Sequence, residues 1–187
     1  MRLLAAPARP ISLRSRNAQP AREGSVSAHL LLDVAGTVCA LPREAAAEIL
    51  PLPDLQRPPA DGGWLAGFAN LGGRAVPVLD LARLLGLRDG ASQAGLYAHL
   101  VLAQDRSLAW LVDRVIDLTN TPAEAHRPAD PATSLNGCVS GGLALGDRLV
   151  PVLDPERLLT QAERARVEAQ ARAAAARLAA LPATAPV

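Results

Sequence analysis

Lysine is absent from the 187 residues, and all nineteen basic side chains are arginine. Against eighteen acids this leaves a net charge of +1, so no global field points to nucleic acid. The arginine-only usage reads as genomic base composition, and it excludes any phosphate-binding loop that ends in Lys-Ser/Thr. Aromatic residues are nearly missing too: Trp64, Phe68, Tyr97 and Trp110 are the whole set. Half the residues are apolar, so the core must be built from Leu, Val, Ile and Ala. The two cysteines, Cys39 and Cys138, lie far apart, which excludes a disulfide framework and suggests free thiols in a reducing compartment. No run is long and apolar enough to span a membrane, so a soluble, cytoplasmic protein is expected. Catalytic signatures are scarce as well. "GCVSGG" (Gly137–Gly142) misses the spacing of a nucleophile elbow.

What the chain does have is a repeat. "GGRAVPVLDLARLL" (Gly72–Leu85) returns as "GDRLVPVLDPERLL" (Gly146–Leu159). Upstream, "AHLLLDV" (Ala28–Val34) meets "AHLVLAQ" (Ala98–Gln104). Turn signals at Ala35-Gly36, Gly72-Gly73, Asp105-Arg106 and Gly146-Asp147 separate short β-prone runs, which reads as four hairpins. Many short strands without long helices favour closed barrels, because closure removes exposed edges. The expected fold is all-β: two small five-stranded, SH3-like barrels related by the pseudo-repeat, with short helices and a C-terminal helix. The predicted lobes are roughly 28–88 and 95–159, within a domain of 25–160. Residues 1–24 read as a disordered basic tail. Five arginines precede its first acid, Glu23, and prolines at 7, 10 and 20 interrupt it, against a targeting peptide. Residues 161–187 read as an Ala/Arg-rich helix and tail, whose mostly alanine face buries little or awaits a partner.

The repeated aspartates raise a choice between chemistry and architecture. Asp80 and Asp154 each stand where a strand gives way to a predicted short helix, and Asp is a strong N-cap. Pro155 and Glu156 suit the first helical turn. Capping therefore accounts for both aspartates without a catalytic pair. Pro77 and Pro151 predict edge or kinked strands. His29 and His99 hold equivalent repeat positions, which predicts a strand-edge role over a metal site. No Cys/His/carboxylate cluster has ligand spacing, so neither a metal nor a cofactor is expected. Glu44 and Glu48 stand at i,i+4 spacing, either on a solvated face or toward a partner. An enzyme or small-ligand protein using Cys138 or the two aspartates is the rival reading; it lacks a convergent acid–base–nucleophile set.

The segment "LAGFANLGGRAVPVLDLARLLG" (Leu65–Gly86) resembles the Gly-x-x-Asn-Leu-Arg-Gly-x-x-x-Pro-x-x-Asp-Leu signature of the CheW family, adaptor proteins of bacterial chemosensory arrays. Gly67, Asn70, Leu71, Gly73, Pro77, Asp80 and Leu81 match it. "RSLAWLVDRVIDL" (Arg106–Leu118) resembles the family's Gly-x-x-Val-Asp-x-Val segment, with Asp113 in place. The resemblance implies a non-enzymatic scaffold of two five-stranded barrels. It would bridge a chemoreceptor's cytoplasmic tip to the regulatory domain of a CheA-type histidine kinase. It further implies a receptor-binding groove at Glu48, Gly67, Asn70, Leu71, Gly72, Gly73 and Arg74. Gly72 departs from the pattern, standing where the family has Arg; the guanidinium's paired, charge-assisted bonds are lost there. The alternative is a relative that binds the kinase but not receptors and regulates a non-flagellar pathway, such as pilus motility.

Overall fold

The computed structural model describes residues 26–57, 63–90, 94–129, 135 and 137–180. The basic tail and the final residues 181–187 lie outside that set, as does the tip of the Pro/Gly loop at 58–62. Strand β1 (Val26–Val34) turns through Ala35-Gly36 into β2 (Thr37–Pro42). One turn of 3-10 helix (Arg43–Ala45) leads into β3 (Ala46–Pro51). The hairpin β4 (Leu65–Leu71) and β5 (Arg74–Asp80) runs into the one-turn helix α1 (Leu81–Leu84). β6 (His99–Ala103) and β7 (Ala109–Val112) follow, then β8 (Arg114–Pro122), a 3-10 turn (Ala123–Ala125) and β9 (His126–Pro128). The hairpin β10 (Val139–Leu145) and β11 (Arg148–Leu153) precedes the long helix α2 (Gln161–Ala179). All four hairpins appear where the turn signals put them. Among the described residues no helix is long and apolar enough to cross a membrane.

The strands form two sheets, ordered β8-β1-β2-β11-β10-β9 and β3-β6-β7-β5-β4. Both curl shut by the same device. After β3 the chain continues to Gln56, which exchanges two backbone hydrogen bonds with Phe68 of β4, at 2.9 and 2.8 Å. On the other sheet, β8 continues through the 3-10 turn into β9, which pairs with β10. A glycine stands at each closure. A Cβ on Gly67 would lie 2.8 Å from the Gln56 carbonyl oxygen, and one on Gly141 2.8 Å from that of Arg127. Counting β8 and β9 as one wrapped strand, each barrel has five.

The lobes are not the two halves of the repeat. Barrel B is the uninterrupted stretch β3–β7, residues 46–112, and barrel A joins β1–β2 to β8–β11 from either side of it. The expected division at 28–88 and 95–159 is corrected accordingly. Each half gives one hairpin to each barrel, joined by parallel pairing: β2 to β11 at Ala40↔Val152, and β5 to β7 from Val78↔Ala109 to Asp80↔Leu111. These pairings also correct the placement of the prolines. β5 and β11 are interior strands, but Pro77 and Pro151 each sit one residue before the parallel pairing begins. There the missing N–H breaks no ladder bond on that side.

Three apolar clusters follow from strand alternation. Barrel A encloses Ala40, Leu143, Val150 and Val152. Barrel B encloses Ala69, Val76, Val78, Leu100, Leu102 and Leu111, among others. The largest cluster lies between the barrels and takes the opposite faces of both: Leu30, Leu32 and Leu41 with Leu79, Val101 and Trp110. Helix α2 docks on β5 through Val167 and Ala174, its buried residues. It begins at Thr160, which forms a capping box with Glu163.

Asp80 caps α1 as expected, its carboxylate accepting the Arg83 N–H at 3.2 Å. Asp154 does not cap a helix. It accepts the Glu156 N–H at 3.0 Å and pairs with Arg157 at 3.1 Å, and residues 155–159 form turns. A one-turn helix is marginal on its own. The strong cap at Thr160 starts the long helix instead, and Leu158 and Leu159 between them are buried in the core.

Candidate functional site

The mouth of barrel B gathers most of the residues singled out above. Glu48 and Leu50 come from β3, Asn70 and Leu71 from β4, and Arg74 and Val76 from β5. Together with Gly72 of the turn they surround a cleft of about 420 Å³ floored by Leu102. The β4–β5 turn has two central residues of positive φ, Gly72 at 61° and Gly73 at 83°. That is the geometry of a tight type I′ hairpin, in which an L side chain is strained. Asn70 locks the turn, its side-chain oxygen accepting the Gly73 N–H at 2.9 Å. This structural job for the asparagine was not drawn from the sequence.

Glu48 is about half exposed and faces Arg106 across 3.6 Å. Arg106 projects from the β6–β7 turn, where its own φ is 57°. Sequence reasoning missed it; the Asp-Arg turn signal marked its position but not its direction. Gly67 does not join this surface. It is buried at the barrel closure, where a neighbouring carbonyl fills the space of its missing side chain.

Asp113 is held by three hydrogen bonds. It lies at the crossing from β7 into β8. Its Oδ2 accepts the Ala35 N–H at 2.6 Å, and Arg88 donates to its two oxygens at 2.9 and 2.7 Å. The carboxylate thus ties the β1–β2 turn of barrel A to the segment after α1, and raises the pKa of Arg88. Its part in the motif is architectural.

Both cysteines sit where burial disfavours the thiolate. Burial, with Asp33 adding to it, pushes the Cys39 thiol up to about 12. Burial also raises Cys138, with Glu163 and Asp154 contributing. Neither thiol is activated, since the nucleophile is the thiolate. Among the described residues no three His, Cys, Asp or Glu side chains gather as a metal site. The two repeat histidines face different ways. His29 alternates with Leu31 toward the interior of barrel A, where it is buried with its ring 5.1 Å from that of His126. His99 pairs with Val112 on the face of the inter-barrel cluster. The expected shared strand-edge role is corrected, because a one-residue difference in register reverses the face.

A family model described as CheW-like domain matches residues 28–163. The chain belongs to the CheW-like domain family. Its fold is similar to the crystal structure of the scaffolding protein TtCheW from Thermoanaerobacter tengcongensis. The TM-score is 0.65 at 17% sequence identity, covering 74% of this chain and 91% of that one. Comparison with curated proteins gives no match. The CheW-like domain thus spans both barrels and the cleft, and runs into the start of α2.

Proposed function

We propose that this CheW-like protein is a non-enzymatic cytoplasmic adaptor. It couples the cytoplasmic tip of a chemoreceptor to the regulatory domain of a CheA-type histidine kinase, without cofactor or metal. The observation that carries the reading is the mouth of barrel B. Glu48, the Asn70–Gly73 turn and Arg74 are presented around one open cleft, on a domain of the adaptor family. Such a surface offers charge and shape for a protein partner rather than a water-excluding pocket for chemistry. Receptor docking here uses Glu48 and Arg74, with no guanidinium at position 72.

The test is titration of two purified partners, the cognate kinase regulatory domain and the receptor cytoplasmic fragment. Both bind wild type without nucleotide or metal. Glu48→Ala weakens the receptor fragment and leaves the kinase domain and the melting temperature unchanged. Absence of binding to either partner at high concentration overturns the reading. A second reading has two observations in its favour: Arg106 already engages Glu48, and Gly72 offers no side-chain donor. On that reading the protein binds the kinase but no receptor, and serves a non-flagellar pathway such as pilus motility. Kinase binding without receptor binding decides for it.

A further inference from the structure

Beside the barrel-B mouth lies a second and larger cleft, of about 540 Å³, between β5, the β6–β7 turn and α2. Arg74, Val76 and Arg106 line both clefts, so the two are continuous. Four arginines stand around the second one: Arg74 on β5, Arg106 on the turn, and Arg164 and Arg172 on α2. The acids there are Asp105 and Glu168. Asp105 is occupied, accepting from the Ser107 backbone and hydroxyl at 3.0 and 2.7 Å. The side chains of Arg74 and Arg172 make no ion pair or hydrogen bond among the described residues, and both residues are exposed. The floor between them is apolar and low, with Ala75, Pro77, Leu108 and Ala171.

We infer that this cleft is a docking site for an acidic amphipathic helix of a partner protein, with α2 as one wall and Arg74 and Arg172 as its charge anchors. Resting on the reading above, the partner is the receptor. Three features select that occupant. Unpaired guanidinium groups on opposite walls call for carboxylates. An alanine-rich floor admits close approach of a helix backbone. And the side of β5 that faces the β6–β7 turn is unpaired only over Arg74–Pro77 and lacks an N–H at Pro77, a poor template for strand addition, so contact runs through side chains, as in helix-in-groove recognition. The chain's own remaining segments do not suit the charge. Residues 1–22 carry five arginines and no acid, and residues 181–187 carry no charged side chain.

The experiment uses the full chain and titrates the cognate receptor cytoplasmic fragment and the kinase regulatory domain against wild type, Arg172→Glu and Arg74→Glu. Arg172 lies outside the barrel-B mouth, so its variant isolates the second cleft. Each reversal lowers receptor-fragment affinity about five- to tenfold, flattens its dependence on salt, and leaves kinase binding and the melting temperature unchanged. If wild type binds the receptor fragment and Arg172→Glu binds it equally well, the second cleft is not the site, while the adaptor reading stands. If Arg172→Glu weakens only the kinase domain, the receptor assignment of the cleft is overturned. If wild type binds no receptor fragment, receptor coupling fails and this inference fails with it.

Discussion

Barrels A and B close by the same means and are finished differently. In both, a wrapped strand is drawn onto a hairpin by a glycine whose missing Cβ makes room for a carbonyl. Position by position, β5 and β11 also agree in what they send inward: Val76 and Val78 in one, Val150 and Val152 in the other. They part company on the outer face. Ala75 is half-buried beneath α2, whereas its counterpart Leu149 is 56% exposed. Barrel A instead encloses a histidine pair. The comparison teaches that barrel closure and inner faces keep the repeat, while the outer faces and polar contents have diverged.

Gly67→Ala and Gly141→Ala strike that shared closure and have the largest expected effect. Each forces a Cβ against a backbone carbonyl that cannot move cheaply, costing about 3 kcal/mol by the usual scale of overpacking. Melting curves should fall by about 5–10 °C in both variants. A neutral result at either site means that its barrel closes by other contacts. Asp113→Ala comes next, since it strands the Arg88 guanidinium and the Ala35 N–H together. Urea unfolding should register a loss of about 2 kcal/mol, typical of charged hydrogen bonds. A double-mutant cycle with Arg88→Ala should return a clear coupling energy, and additivity of the two would show that they do not act as a pair.

The two aspartates sharpen the comparison at smaller scale. Asp80→Ala removes a buried helix cap and should cost about 1–2 kcal/mol. Asp154→Ala loosens only a turn and should cost about 0.5 kcal/mol. Equal losses would mean that the turn after β11 is as strongly held as the helix after β5. The smallest effect is expected from pH. Burial, then the nearby His126, lowers the pKa of His29 below 6.5, with Glu44 opposing. The native state therefore binds fewer protons than the unfolded chain in that range. The contribution is complete above 6.5 and is lost as the pH falls from there through the lower native pKa. Unfolding midpoints should decline on the acid side in wild type and decline less in His29→Phe. An unchanged acid slope in that variant would show that barrel A is no more acid-sensitive at this pair than elsewhere.

Much of this architecture was legible in the chain. Turn glycines and alternating apolar residues announced the four hairpins, Asp80 its cap, and the Ala/Arg-rich segment its helix, because all of these are local. The exchange of hairpins between barrels was not legible, since period-two alternation says which face a residue takes but not which strand lies beside it. The shared strand-edge role expected of His29 and His99 failed for the same reason: equivalence in sequence does not fix pairing register. The cleft residues Glu48, Asn70 and Arg74 were named from the family resemblance, Asn70 alone from the signature itself. Arg106, Arg164 and Arg172 were not: Arg106 reaches the mouth only through the pairing of β3, β6 and β7, and Arg164 and Arg172 only through the docking of α2 on β5.

The nesting of one barrel inside the other also sets an order of events during synthesis. β1 and β2 leave the ribosome first, yet their neighbours on either side, β8 and β11, are among the last strands made. Barrel B, an uninterrupted stretch, has every strand available once residue 112 has emerged, so its closure waits on no later segment. The leading hairpin meanwhile waits with both edges unpaired, the condition under which strands recruit wrong partners. In arrested nascent chains, protease resistance should therefore appear in residues 46–112 before residues 26–42. Barrel B is the platform on which the two ends of the chain finally meet.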